Sequence, residues 1–274
     1  ANWSNLWLIS TFPAKNIDIN DFSAVKAHLE NYLPKLKQIG ESFINENGKK
    51  EKTRKKTSNK WFETQDQIRY WKSFHEPKII YNDISKRQLT FCFDEKGILL
   101  DNTIYFICGN INLKHLTGIL NTKLIDWYYR QISSQLGNSS VRLFTIFMEK
   151  LPIPKISKSK QELFENLVDY ILYLHNTEKP INDYVPNSHI IELIEEVIDA
   201  MVMELYFEED FRAADISFMK YVKRDFPVLV ESNDKAATIH KAYQRLRERK
   251  NEIRNNLKLM NIRLEHIVMP IKRG

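Results

Sequence analysis

Glycine and cysteine are scarce in this sequence. Among its 274 residues there are only seven glycines, and no two of them lie closer than eight residues apart. A phosphate or dinucleotide loop needs clustered glycines so that backbone N–H groups can approach the ligand. This scarcity therefore argues against kinases, P-loop NTPases and ordinary Rossmann enzymes. The two cysteines, Cys92 and Cys108, are too few for a disulfide scaffold and are typical of a reducing compartment.

Long apolar runs are also missing. No stretch approaches the ~18 consecutive apolar residues that a membrane-spanning helix needs. The sequence starts at Ala1 and lacks a basic-then-apolar leader, so we expect no secretory signal and no membrane contact. Because the first residue is not Met, we also expect a fragment of a longer protein.

Catalytic motifs are absent as well. The seven histidines never lie within four residues of each other, which excludes HExxH and similar zinc spacings, and there is no GxSxG elbow. The nine prolines include no adjacent pair, which excludes the Asn/Asp-Pro-Pro-aromatic loop that amino-methyltransferases use. Glu208, Glu209, Asp210 and Asp215 could belong to a nuclease metal site, but a solvated acidic helix end explains them better. We therefore expect no metal site and no catalytic residue in this chain.

Charge is divided unevenly along the chain. Residues 1–158 hold 24 Lys and Arg against 15 Asp and Glu, a net charge of +9, whereas residues 159–274 have a net charge of −3. This pattern favours a polyanion-binding region followed by a region that supports it or contacts a protein, and ordinary surface variation is the alternative.

Four segments can be distinguished by residue pattern. Residues 1–45 form an extended N-terminal segment and a helix, and residues 46–60 form a flexible basic loop with almost no apolar anchors. Residues 61–158 alternate short β-rich runs with helical patterns and, together with 1–45, predict a mixed α/β domain. Residues 159–274 carry apolar residues at helical spacing. We therefore predict an α+β fold, with a mixed α/β domain followed by a mostly helical region.

The last predicted helix has a heptad-like seam. Eight residues between Ile239 and Leu264 alternate spacings of four and three, and all but Lys250 are apolar or aromatic. The seam predicts either a long core helix or a coiled coil. Two lysines facing each other in a symmetric dimer would repel, so we expect a monomer.

The remaining candidates are residues suited to binding. Cations of the basic loop and its surroundings can neutralise phosphates, each contact releasing counterions. The predicted phosphate-binding residues are Lys49, Lys50, Lys52, Arg54, Lys55, Lys56, Lys60 and Lys86. Arg, Lys, Gln and Asn can pair with guanine or adenine edges. The predicted base-reading residues, each close to strand or aromatic anchors, are Gln65, Lys78, Arg87, Asn102 and Arg142.

Five segments of the first half resemble a known family. Their order and spacing are similar to those of the TaqI-like C-terminal specificity domain, the target-recognition module of adenine-N6 DNA methyltransferases and of combined restriction-methylation enzymes. The segments are WFETQ (61–65), KIIYNDIS (78–85), DNTIYFI (101–107), LTGILNTKLIDWYYR (116–130) and RLFTIFMEKLPIP (142–154). The resemblance covers about residues 6–160. The same segments are also similar to the recognition domains of type I specificity subunits.

The resemblance implies a recognition part without the chemical part. The family's S-adenosylmethionine loop and Asn-Pro-Pro-Tyr loop are both missing, so no cofactor is expected in this chain. An absent methyltransferase part would bind S-adenosylmethionine and flip the adenine, while this chain would hold double-stranded DNA and choose the sequence. Residues 159–274 would brace the recognition domain or dock on the methyltransferase part, which would belong to the same parent chain or to a partner subunit. The resemblance also implies that the protein is located in the cytoplasm of a prokaryote.

Two other classes of function stay open. A metal-dependent nuclease predicts magnesium-dependent cutting by this chain alone, and the parent enzyme could also have endonuclease activity. A non-catalytic helical interaction scaffold, using the heptad seam, predicts no affinity for nucleic acid.

Overall fold

The computed structural model describes residues 5–136 and 140–273, which divide into two compact units. The first unit comprises residues 5–77 and 94–100, and the second comprises residues 78–93 and 101–273. Eight strands and eleven α-helices lie within the described residues, consistent with the α+β fold that the sequence predicts.

The first unit contains one α-helix and one hairpin. The helix α1 (Ser23–Glu30) precedes the antiparallel strands β1 (Ser42–Ile44) and β2 (Lys50–Lys52), and short 3-10 helices lie on either side along the chain. Its buried apolar side chains are few: Phe12, Ile19, Phe62 and Phe74. Polar side chains bonded to the backbone add to this small core.

The second unit contains six short strands, the last two of which follow its first two helices. They are β3 (Lys78–Asn82), β4 (Ile84–Ser85), β5 (Cys92–Asp94), β6 (Ile104–Ile107), β7 (Gln135–Leu136) and β8 (Ser140–Arg142). They form two three-stranded sheets, in the orders β5-β3-β6 and β4-β8-β7. The apolar run at Ile79, Ile80 and Tyr81 is buried, which explains why this β-rich segment lies in the middle of its sheet.

Ten helices complete the second unit. They are α2 (Leu113–Leu120), α3 (Lys123–Ile132), α4 (Thr145–Met148), α5 (Lys158–Asn176), α6 (Asn187–Tyr206), α7 (Glu208–Ala213), α8 (Met219–Asp225), α9 (Lys235–Arg247), α10 (Glu252–Arg263) and α11 (Glu265–Arg273). Among the described residues, none of the helices is long and apolar enough to span a membrane.

Helices α2 and α5 approach each other closely at Gly118. A Cβ atom at this position would lie 3.2 Å from Cγ2 of Val168 and 3.7 Å from Cδ1 of Phe164. The absence of a side chain therefore lets the two helices pack tightly. Because α2 also contacts β3, the strands and the C-terminal helices share one hydrophobic core.

The division into units differs from the segments predicted from the sequence. No boundary falls between residues 158 and 159, since α5 and α6 pack on α2, and α6 also packs on α3. Residues 46–60 contain β2 rather than a loop without regular structure. The pairing of Phe43 with Glu51 in the hairpin gives this polar segment a defined backbone without an apolar core.

The heptad seam is buried but is not one helix. Helix α9 ends at Arg247, and α10 starts after Asn251, whose side chain accepts a hydrogen bond from the Arg254 N–H at 3.0 Å. Lys250 is exposed in the turn between the two helices, so it does not lie in a dry seam. Six seam residues on α9, on α10 or directly after α10 are buried within the second unit, namely Ile239, Tyr243, Leu246, Ile253, Met260 and Leu264.

We predict that Leu246→Asp strongly destabilises the chain. Leu246 is 5% exposed and lies beside Tyr170 and Ile194 at a small apolar cavity. The substitution removes apolar contacts and buries a carboxylate, so the free energy of unfolding should fall by at least ~3 kcal/mol in urea denaturation.

Ile262→Asp is the matched control for this substitution. Ile262 lies on α10 and is 72% exposed, so the same chemical change should alter stability by about 0.5 kcal/mol at most. Equal losses in both variants would contradict the burial argument. A stable dimer in light scattering, disrupted by Leu246→Asp at unchanged melting temperature, would instead place the seam between two chains.

Candidate nucleic-acid interface

A cluster of exposed lysines lies on and after the hairpin of the first unit. Side chains alternate between the two faces of a strand, so Lys50 and Lys52 share one face of β2 and Glu51 lies on the other. Glu51 accepts a hydrogen bond from Asn45 at 2.8 Å and forms an ion pair with Lys35 at 3.5 Å. The bond from Asn45 and then the charge of Lys35 lower the pKa of Glu51.

The exposed members of this cluster are the following: Lys49, Lys50, Lys52, Lys55, Lys56 and Lys60. We call them the lysine surface. Lys60 donates to the carbonyl of Ile17 at 3.2 Å and lies 5.6 Å from the centre of the Phe62 ring. The other five form no ion pair with a carboxylate within the described part of the chain, so their charges are available to an anion.

Arg54 differs from its lysine neighbours, because it is half-buried and its guanidinium is bonded to the protein backbone. Nε and Nη2 donate to the carbonyl of Leu36 at 2.9 and 2.6 Å. Nη1 donates to the carbonyl of Glu63 at 2.9 Å, and Nη2 also donates to the carbonyl of Trp61. These bonds use the donors that a phosphate would need, so the predicted phosphate contact is corrected to a structural role.

Gln65 lies in the first unit and is exposed. Its Nε2 is 3.4 Å from the carbonyl oxygen of Lys55, a long hydrogen bond that leaves the amide near the lysine surface. Asn59 fixes the backbone here, since its Nδ2 donates to the carbonyls of Thr64 and Gln65 at 2.9 Å each. Gln65, a predicted base-reading residue, therefore lies in a turn whose backbone is fixed by hydrogen bonds.

Lys78 is fully buried at the start of β3. Its side chain is not exposed to solvent, so in this structure it cannot contact a base edge. The apolar neighbours on β3 explain the difference, since this strand lies in the middle of its sheet and is covered on both faces. We correct the predicted base-reading role to a position in the core.

Two predicted residues, Lys86 and Arg87, lie in the exposed turn that follows β4. This turn is held at two points. Ser85 Oγ donates to the carbonyl of Gln88 at 3.0 Å, and the Leu89 N–H donates to the carboxylate of Asp126 on α3 at 2.8 Å. The helices thus fix the position of the turn.

Arg142 lies on β8, opposite Ile84 of β4. Its guanidinium lies 5.0 Å from the centre of the Phe144 ring and 3.5 Å from the carboxylate of Asp83. Its carbonyl accepts a hydrogen bond from the hydroxyl of Tyr129 at 2.8 Å. Burial raises the pKa of Tyr129 to about 12, so the hydroxyl remains a neutral donor at physiological pH.

The structure therefore brings together Lys86, Arg87 and Arg142 along the β4–β8 pair. We call these three residues and Phe144 the β4–β8 surface. Nε of Arg142 is buried and has no hydrogen-bond partner among the described residues. Sequence reasoning missed Phe144, although the spacing Arg-Leu-Phe at 142–144 places Arg and Phe on the same side of an extended segment.

Asn102 is exposed but lies in a different turn, before β6. The neighbouring Asp101 accepts hydrogen bonds from the N–H and the hydroxyl of Thr103 at 2.8 and 2.7 Å. These bonds lower the pKa of Asp101. Among the described residues, Asn102 forms no hydrogen bond or ion pair with the β4–β8 surface, so its base-reading role stays a prediction.

The acidic residues and other possible metal ligands do not converge on a metal site within the described part of the chain. Within residues 5–136 and 140–273, no group of three His, Cys, Asp or Glu side chains is placed to hold a metal ion. Glu208 forms an ion pair with Arg212 at 3.0 Å, one turn away on α7.

A comparison with protein families assigns the segment that carries both surfaces. Residues 30–153 match the family model of the TaqI-like C-terminal specificity domain. This segment is similar to that family, and we call residues 30–153 the specificity domain after the family it resembles. The match confirms the resemblance seen in the sequence and indicates DNA recognition in a restriction-modification system. No curated protein sequence matches the chain.

The specificity domain contains the lysine surface and the β4–β8 surface, and it ends before α5. Its residues lie in both compact units, so it does not coincide with either of them. Helices α5 to α11 follow the domain and share a core with its second part.

We predict that Arg54→Ala destabilises the first unit, because three backbone carbonyls lose a charged donor. The expected loss is ~2–3 kcal/mol in denaturation experiments. Lys55→Ala is the matched control, since Lys55 is exposed and its side chain has no comparable bonds. If the two variants have equal stability, Arg54 has no structural role.

Proposed function

We propose that this chain is the target-recognition part of an adenine-N6 DNA methyltransferase from a restriction-modification system of the prokaryotic cytoplasm. Its ligand is double-stranded DNA. The observation that carries the proposal is the specificity-domain match over residues 30–153, within which the structure displays two cationic surfaces on ordered elements. Methyl transfer, and cleavage if the parent enzyme cuts DNA, belong to other parts of that enzyme or to a partner subunit.

The two surfaces suit different tasks. Phosphate contacts position a protein on the duplex, whereas side chains at base edges choose the sequence. The lysine surface presents flexible side chains with point charges, which fit phosphates. Arg142 is restrained by Phe144 and Asp83, and a restrained guanidinium fits the paired acceptors of guanine.

We expect S-adenosylmethionine to bind outside this chain, because the seven glycines of the chain are dispersed along the sequence rather than clustered. Among the described glycines, the two with open space around them, Gly48 and Gly109, lie far apart in the sequence. A methyl-donor loop needs glycines that leave room for the ligand, but Gly118 packs against Val168 inside the helical core. A Cβ atom at Gly97 would likewise lie 3.4 Å from the backbone of His75, within the first unit. We therefore derive no methyl-transfer step and assign the donor to the methyltransferase part.

An electrophoretic shift with a mixed duplex pool tests the proposal. We expect binding without added magnesium, no cutting with magnesium, and no methyl transfer from labelled S-adenosylmethionine. Absence of binding would overturn the proposal in favour of an interaction scaffold. Magnesium-dependent cutting by the purified chain would favour the nuclease, and methyl transfer would also contradict the proposal.

The lysine surface should supply affinity rather than sequence choice. Each phosphate contact contributes about −0.9 to the slope of log affinity against log salt, so changing Lys49, Lys50 and Lys52 to Ser should flatten the slope by up to ~2.7. All duplexes should weaken alike. The control changes Lys155, Lys158 and Lys179 to Ser, an equal loss of exposed charge outside the domain. A selective loss for one sequence would contradict this role.

Arg142 should read a base pair. Arg142→Ala is expected to cost ~1–3 kcal/mol of discrimination at one base pair, whereas Lys86→Ala should weaken all duplexes alike. Phe144→Leu tests the same role without removing the guanidinium, because Phe144 is 42% exposed and its ring restrains Arg142. Unchanged sequence preference in Arg142→Ala and Phe144→Leu, with melting temperatures preserved, would assign base reading to other residues.

A further inference from the structure

A second concentration of positive charge lies outside the specificity domain, around the turn between α9 and α10. Residues 241–258 contain seven Lys and Arg against two acidic residues, Glu248 and Glu252. This local excess is hidden in the net charge of −3 for residues 159–274. The family match ends at residue 153, so it assigns no role to this turn.

Two of the arginines near the turn are already neutralised. Asp225 is fully buried, and its carboxylate lies 2.6 Å from Nε of Arg224 and 3.6 Å from Nε of Arg245. Arg224 also forms an ion pair with Glu252 at 2.6 Å, and this bond lowers the pKa of Glu252 to about 2. Two carboxylates are thus matched by two guanidinium groups.

The other cations of the turn have no such carboxylate. Arg247, Arg249 and Lys250 are exposed, Arg254 is half-buried, and none of them forms an ion pair in the part of the chain that the structure describes. Two acidic residues lie among them in the sequence: Glu252, which is paired with Arg224, and Glu248. We call Arg247, Arg249, Lys250 and Arg254 the basic turn.

Hydrogen bonds of Asn251 and Arg254 fix the position of the basic turn. Nδ2 of Asn251 donates to the buried carboxylate of Asp225 at 2.7 Å, and Oδ1 of Asn251 accepts from the Arg254 N–H. The guanidinium of Arg254 donates to the carbonyl of Arg247, whose own guanidinium lies 5.6 Å from the centre of the Tyr243 ring. Arg247 and Arg254, whose guanidinium groups are restrained by these contacts, lose little conformational entropy on binding an anion.

We propose that the basic turn binds backbone phosphates of double-stranded DNA, as a contact additional to those of the specificity domain. This inference rests on the proposed function. Guanidinium groups bind phosphates through two parallel hydrogen bonds, and three of the four cations are arginines. Protein interfaces are enriched in aromatic residues and Met as well as in Arg, whereas residues 247–251 include cations but no apolar side chain. The composition thus favours a phosphate backbone over a protein surface.

The test changes Arg247, Arg249 and Lys250 to Ser and measures duplex binding against salt. If all three contact phosphates, the log-log slope should flatten by about 2.7, and affinity for every duplex should fall at least tenfold at low salt. The Lys155, Lys158 and Lys179 variant loses the same charge in the same half of the chain. Its salt slope should remain steeper than that of the variant in the basic turn.

A gain-of-charge variant provides a second test, which does not depend on the stability of the triple variant. Glu248→Lys adds a cation to the turn without removing a side-chain bond found in the structure, so it should steepen the slope by about 0.9 and tighten binding. Equal slopes for the wild type, the triple variant and Glu248→Lys would overturn the inference while leaving the proposed function intact. A loss restricted to one sequence would replace phosphate binding by base reading, and a wild-type chain without DNA affinity would overturn both.

Discussion

The close contact between α2 and α5 at Gly118 organises the second unit. Because no side chain separates the helices there, Val168 and Phe164 of α5 pack directly against α2. The end of α2 in turn fixes the strand segment beside it, since Asn121 exchanges hydrogen bonds with the backbone of Phe91 at 3.0 and 2.8 Å. The C-terminal helices thereby support the turn that carries Lys86 and Arg87.

Positive charge has two distinct roles in this chain. Some arginines are part of the architecture: Arg54 joins backbone carbonyls, and Arg224 and Arg245 compensate the buried Asp225. Removing such a partner leaves buried polar groups unsatisfied, which is costly. Other cations, such as those of the lysine surface, have no carboxylate partner among the described residues. These cations have no competing carboxylate for a phosphate group, so the net charge of the chain overstates its capacity to bind phosphates.

The proposed function draws on the difference between flexible and restrained cations. Lysines on a hairpin can follow phosphates of any sequence, because a point charge on a long stem tolerates many geometries. Arg142 has a ring beneath its guanidinium and a carboxylate beside it, which restrict its orientation. Discrimination between bases needs such restriction, and the sheet formed by β4 and β8 provides it.

The amino-acid sequence by itself determined the fold class and the family resemblance. Apolar periodicity and short β-rich runs predicted the α+β fold, and the combined segments from WFETQ to RLFTIFMEKLPIP identified the specificity domain. Local patterns suffice for these features because hydrophobic spacing and segment order are written along the chain. Tertiary structure alone decided the rest. Lys78 is buried, Arg54 is bonded to the backbone, and Lys250 lies in a turn rather than in a heptad seam. Each outcome depends on groups distant in sequence or on where a helix ends, and a single residue's type and spacing do not specify those partners.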